Sequence, residues 1–390
     1  MTDKIKVVIF NSDEIKDPEF DRFDITYEKN GLFANKVISE IDPHVIISFG
    51  SLNSYKLLLS QPLYIRQRWL HIEEPISNDN LFNAIIGCYS GLIKNNANIN
   101  EPVISVITAT YNTEDIWWPY RSLVGQEYKN WEWIVYDDGS SDENTLHSIS
   151  QLSSIDPRVK VFFASHSGSI GEVKKNAFSL ASGEYLVELD HDDELTPWAL
   201  GDVYRAFQTY PDSGFCYSDC AEVVGDQHDS ASYPDGWGFG YGSYRTEVWR
   251  GRDYLVTNYP DINSKTIRHI VGVPNHFRAW RRDFYHSIGG HNKNLFVADD
   301  YELLVRTFLH TKIVHIQKFG YIQYHHKNNT QKKRNAEIQN LVALIHQVYE
   351  GDIHQRFLDL EVDDFMWRDG MLDWNIENPE ETPIANYLMR

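Results

Sequence analysis

The chain has 390 residues, of which 42% are apolar and 24% charged, and its 36 basic and 56 acidic side chains leave a net charge of −20. Ordinary composition at this length predicts a soluble globular chain of two to three domains that needs no disulfide staples. The acidic balance argues against a nucleic-acid partner or an anionic membrane surface, both of which call for a basic face.

No apolar run approaches the ~20 residues of a membrane span. The first residues, Met1 to Lys6, lack a signal-peptide apolar core. Cys88, Cys216 and Cys220 form neither a disulfide framework nor a paired zinc pattern. The expected compartment is therefore the cytoplasm.

The N-terminal stretch reads as alternating strands and helices. Ile5–Phe10 and Val45–Phe49 are apolar runs of strand length, and 32–41 has helical spacing. This pattern predicts a small parallel α/β unit over 1–98. Asn11, Ser12 and Asp13 follow the first run where a dinucleotide site would carry glycines, so a structural or docking role is expected. Residues 81–93 predict an amphipathic helix, and the Asn-rich 94–101, stopped by Pro102, is the best linker candidate.

A second α/β unit begins at Val103. Strands are expected at 103–109, 131–136, 159–163 and 185–189, with helical sequence at 122–126 and 172–181. This alternation predicts a doubly wound, mostly parallel sheet spanning 99–333. In such sheets ligands bind beyond the carboxyl ends of the strands. Two acidic turns stand at those ends, Asp137-Asp138-Gly139-Ser140 and Asp190-His191-Asp192-Asp193, so they should converge in space. Residues 225–259 are rich in Gly, Trp and Tyr with little periodicity, which predicts a long aromatic lid or a loop packed by its own rings. From 334 to 390 a helix over 336–349 is expected, followed by an acidic segment with Trp367 and Trp374.

Three acids in four residues repel one another unless a cation or a shared proton relieves them. After a strand they make an oxygen-lined site for Mg²⁺ or Mn²⁺, whose shells phosphate oxygens commonly complete. Asp299-Asp300-Tyr301-Glu302 follows Gly289-Gly290 and opens a helical stretch. Asp300 there suits either an N-terminal dipole partner or a general base aimed into the cleft. His325-His326 follows a strand-like run, where imidazole could serve a cation or a diphosphate.

Six segments in order then carry a family resemblance: PVISVITATYN (102–112), WEWIVYDDGSSDENT (131–145), ASGEYLVELDHDDELTPWAL (181–200), FCYSD (215–219), IGGHNKNLFVADDYELLVRT (288–307) and QYHHKNNT (323–330). Together they resemble the family-2 glycosyltransferases of the GT-A fold. The resemblance implies that Ala109, Thr110 and Tyr111 cradle a nucleobase, with Asp138 accepting a base N–H and Asp137 holding the turn. It implies that Asp190 and Asp192, extended by Asp193, hold a divalent cation on the donor diphosphate, Asp190 thereby contacting the donor as well. Asp300 becomes the catalytic base, and His326 the late metal or diphosphate ligand, with His325 as fallback. Where the family often has Arg-Asn before the metal strand, this chain has Lys174-Lys175-Asn176, and Lys175 is taken as the retained cation.

The implied reaction is metal-dependent, inverting transfer of a sugar from a UDP or dTDP donor to a glycan or glycoconjugate. The alternative is a non-catalytic carbohydrate- or nucleotide-binding protein keeping the fold. A nucleotidyltransferase ranks low, because ATYNTED (109–115) stands where that chemistry shows a Gly-rich phosphate loop.

Overall fold

The computed structural model describes residues 4–10, 20, 23–28, 34–50, 65, 68–72, 76–93, 102–113, 116–224, 229–230, 232, 243–269, 274, 276–325 and 330–367. The 94–101 linker candidate, most of 225–242 and His326 lie outside these residues.

Strands β1 (Ile5–Phe10) and β2 (Phe23–Glu28), helix α1 (Ala34–Ile41), strands β3 (Val45–Phe49) and β4 (Trp69–Ile72), and helix α2 (Asn78–Ile93) form the N-terminal unit. Its sheet is parallel throughout, in the order β2-β1-β3-β4. The two edge strands were not legible in the sequence: FDITYE mixes charges into its run and WLHI is only four residues long. The central strands were legible because burial on both faces demands a continuous apolar run.

Among the described residues a second sheet of eleven strands follows. Its parallel half comprises β5 (Ile104–Thr110), α3 (Trp117–Val124), β6 (Trp131–Asp137), α4 (Glu143–Ile155), β7 (Val159–Phe163), α5 (Ile170–Ser179) and β8 (Tyr185–Glu188). These strands lie in the order β8-β5-β6-β7. The chain continues through β9 (Glu194–Leu195), α6 (Ala199–Thr209), β10 (Ser213–Val224), β11 (Asp229–Ser230), β12 (Tyr244–Trp249), β13 (Arg252–Thr257), α7 (Thr266–His269), β14 (Arg278–Arg281), α8 (Arg282–Ser287), α9 (Asp299–His310), β15 (Lys312–His325) and α10 (Thr330–Asp359). β14 is antiparallel to both β8 and β10, and β15 runs parallel to β10. The expected doubly wound, mostly parallel sheet is present.

The aromatic stretch departs from expectation. Residues 244–257 form an antiparallel hairpin, β12-β13, and not a loop. Its β12 strand alternates exposed and half-buried positions, so no apolar run announces it. The hairpin joins β10 through Ala221 and Val256.

The two sheets share one apolar core. Val8, Phe10, Val37, Ile46 and Trp69 pack with Val223, Trp249, Tyr254, Phe319 and Tyr324. A buried ion cluster crosses the same boundary. Arg250 reaches Asp42 at 3.2 Å and Glu194 at 3.0 Å, and Arg68 reaches Asp42 at 3.0 Å. Burial alone would raise the Asp42 pKa, but Arg250 and Arg68 hold it well below the usual carboxylate range.

At the other end α10 packs on α9 through Tyr301, Val305, Phe308, Ile345 and Phe357. Arg268, fully buried, bonds Glu350 at 2.9 Å and Asp364 at 2.7 and 2.8 Å, and so ties α7 to the C-terminal helix and to the turn after it. Among the described residues no helix is long and apolar enough to cross a membrane.

Candidate active site

The site assembles beyond the carboxyl ends of β5, β6 and β8, where the strand order changes direction. Thr110 pairs with Asp137 and Ile107 with Glu188, so Tyr111, Asp138 and Asp190 leave their strands at one edge. Asn112, in the left-handed region at φ 47, laces two loops together. Its backbone N–H donates to Ser140 Oγ at 2.7 Å, and its Oδ1 accepts from Ser141 N and Asp142 N at 2.9 and 3.0 Å. Asp137 closes the DDGS turn by accepting from the backbone N–H of Ser140 at 2.9 Å and from its hydroxyl. Thr110 is buried with its hydroxyl unpartnered in the protein, Ala109 is half-buried, and the Tyr111 ring is 45% exposed.

Asp138 is buried. One oxygen accepts from Ser167 N at 2.8 Å and the other stands 2.8 Å from His166 Nδ1.

The acids at 190–193 divide into two kinds. Asp193 points inward, with its oxygens 2.8 Å from the Tyr321 hydroxyl and 2.8 Å from Tyr324 N. Burial first, then the charges of Asp192 and Asp190, push its carboxyl well above the ordinary range. It braces β15 through these two bonds. Asp190 keeps a side chain 35% exposed, 3.5 Å from the buried His276 Nε2, and Asp192 is half-buried. Among the described residues no group of three or more His, Cys, Asp or Glu is arranged to hold a metal. Two outward carboxylates nonetheless suit Mg²⁺ or Mn²⁺ in the mode where substrate phosphates supply the remaining oxygens. His325, the fallback ligand, is engaged with Glu222 at 2.6 Å.

Beneath this edge lies a network of buried charges. Glu188, the last residue of β8, meets Lys174 Nζ at 2.5 Å and Arg278 at 3.3 Å. The other arm of Arg278 reaches Asp300 Oδ2 at 3.2 Å. Burial alone would lower the Arg278 pKa, but Glu188, Asp300 and Asp190 raise it, so the guanidinium stays charged. Asp300 sits in the first turn of α9 with its side chain 26% exposed, and its Oδ1 accepts from Tyr301 N at 2.8 Å. The structure thus joins Asp300 through one guanidinium to Glu188, two residues before Asp190. Their neighbour Asp299 is buried, and burial, reinforced by the charge of Asp300, pushes its carboxyl up to about 7. Its Oδ2 faces the unpartnered His291 Nε2 at 3.7 Å, and burial holds that imidazole neutral.

Lys175 is exposed on α5, whereas Lys174 is turned inward onto Glu188 with its side chain 14% exposed. Val173 and Ala177 are buried, and their helical spacing places 174 beside them on the inner face; the signal was present in the sequence. Sequence reasoning also missed Glu188, Arg278 and His166. Helix α5 is docked against the loop that leads to Asp300. Gly171 N donates to Leu295 O at 2.9 Å and Ser169 Oγ donates to Lys293 O at 2.9 Å. A Cβ at Gly171 would stand 2.1 Å from Asn292 O, so only glycine permits this approach.

Residues 105–289 match the model of glycosyl transferase family 2. The chain is 29% identical over 206 residues to an uncharacterized protein, y4gI, of Sinorhizobium fredii, a match covering 46% of this chain and 23% of that protein. It is 25% identical over 266 residues to the chondroitin synthase of Pasteurella multocida, covering 68% of this chain and 25% of the synthase. The chain therefore spans about a quarter of the length of these relatives. The structure of S. aureus TarS 1-349 in complex with UDP-GlcNAc is similar with a TM-score of 0.49 at 19% identity, over 70% of this chain and 76% of that one.

Proposed function

Because residues 105–289 match the model of glycosyl transferase family 2, we propose that the chain moves a sugar from a nucleoside-diphosphate donor to a hydroxyl of a glycan or glycoconjugate, inverting the anomeric carbon. UDP and dTDP are the favoured donors, because Asp138 accepts from a ring N–H of uracil or thymine. The observation that carries the reading is the Arg278 bridge. It holds Asp300 beside Glu188, two residues before Asp190, which supports a proton-abstracting carboxylate working next to the acids at 190 and 192.

Tyr111 offers its ring face to the base. Lys174 supplies positive charge beneath the diphosphate. Its pKa, which burial would lower, is raised by Glu188, Asp299 and Asp190. Held by Asp190 and Asp192, Mg²⁺ or Mn²⁺ would offset charge growing on the leaving diphosphate. Asp300 takes the proton of the acceptor hydroxyl as its oxygen bonds to the anomeric carbon. The bond from that carbon to the diphosphate oxygen breaks on the opposite face, and its electron pair leaves with the nucleotide.

A thermal-shift panel with UDP, dTDP, GDP and CDP, each with and without Mn²⁺, tests the donor site. A nucleotide at ~100 times its dissociation constant stabilises by about 2.7 kcal/mol. Asp300→Asn should keep the metal-dependent shift and lose transfer; near wild-type turnover in that variant would remove the base assignment.

A further inference from the structure

The His166 ring lies on Tyr111, with centroids 4.5 Å apart and planes 25° apart. Its Nδ1 stands 2.8 Å from Asp138 Oδ2 and 3.1 Å from the Asp138 carbonyl. One side chain therefore engages both the stacking face and the acceptor that a nucleobase would use. The backbone beneath it is pinned. Ser167 N donates to Asp138 Oδ1 at 2.8 Å, and Ala164 N to Asp137 O at 2.9 Å. At Gly139, whose φ is +72°, a Cβ would stand 2.5 Å from His166 N. The imidazole itself is 51% exposed, with solvent to turn into while its backbone stays fixed. Rings already in contact leave no gap for a third ring, which would need about twice that centroid separation.

Resting on the nucleotide reading above, we propose that His166 is a residue of the donor subsite, the side chain a nucleobase displaces on entry. His166 holds the Tyr111 ring and the Asp138 carboxylate in fixed relation. An incoming base replaces both of its contacts, giving a flat face to Tyr111 and an N–H to Asp138. Displacement then subtracts from the affinity of every nucleotide and leaves the diphosphate contacts untouched.

Calorimetric titration of the full chain, in Mn²⁺, with UDP and with inorganic pyrophosphate tests this. His166→Ala should bind UDP three- to tenfold more tightly than wild type and bind pyrophosphate within twofold of it. His166→Phe, which keeps a ring on Tyr111 without the bond to Asp138, should fall between. UDP affinity unchanged or weakened in His166→Ala, with wild type binding UDP, would overturn the role of His166 and leave the nucleotide reading standing. Binding of neither UDP nor pyrophosphate by wild type would overturn both.

Discussion

Arg278 donates to Asp300 at 3.2 Å from a position 4% exposed, so the orientation of an accessible carboxylate is set by a guanidinium that solvent hardly reaches. Removing one partner of a buried ion network leaves the others uncompensated, at a cost of roughly 3–5 kcal/mol. Arg278→Ala should lose stability of that order in urea unfolding and lower turnover at least tenfold. Asp300→Asn, whose side chain is partly solvated, should cost under about 1 kcal/mol. Equal stability of Arg278→Ala and wild type would refute the bridge.

The two lysines of α5 should separate cleanly. Lys174→Ala should weaken Mn²⁺-dependent UDP binding at least tenfold, because Glu188 would face the diphosphate with less compensation. Lys175→Ala should change it less than twofold. Fluorescence or calorimetric titration decides, and the reverse ranking would restore the sequence expectation.

Asp299 makes stability depend on pH with a definite sign. Its folded pKa of about 7 exceeds the unfolded value near 3.9. Between those values the folded protein keeps a proton that the unfolded chain has released. The contribution of Asp299 is therefore fullest below pH ~4 and falls as pH rises toward 7, by up to about 1.4 kcal/mol per unit. Asp299→Asn should flatten that decline and melt above wild type at pH 8. Parallel melting curves for the two proteins from pH 4 to 8 would exclude it.

Gly171→Ala places a methyl against the carbonyls of Asn292 and Leu295. Forcing apart two backbones should cost about 1–3 kcal/mol. It should also reduce turnover, because the loop displaced leads into the first turn of α9. Melting temperature and turnover measured together check this, and an unchanged melting temperature would contradict the close approach.

The acids at the strand ends were legible because an apolar run ending in carboxylates fixes their place in a parallel sheet. Asp137, Asp138, Asp190 and Asp300 needed only that logic and the order of the motifs. Glu188 was hidden inside such a run, where a charge reads as an interruption; it is tolerated because Lys174 and Arg278 neutralise it. The partnership of Glu188 with Arg278 joins residues 90 apart in sequence, and that of His166 with Asp138 joins residues 28 apart. No local periodicity encodes such pairings. The inward bonds of Asp193 were hidden for the same reason: its partners, Tyr321 and Tyr324, enter from a strand 128 to 131 residues later.

The core shared by Phe10, Trp69, Trp249 and Tyr324 bears on how the molecule comes apart. A segment that melts alone must leave a neighbour able to stand in water. Here the neighbour would be left with an apolar wound and with Arg250 deprived of Asp42, keeping Glu194 alone. The N-terminal sheet and the larger sheet should accordingly denature in a single calorimetric transition. Cutting the chain within 94–101 would then yield two fragments that fold only in each other's company.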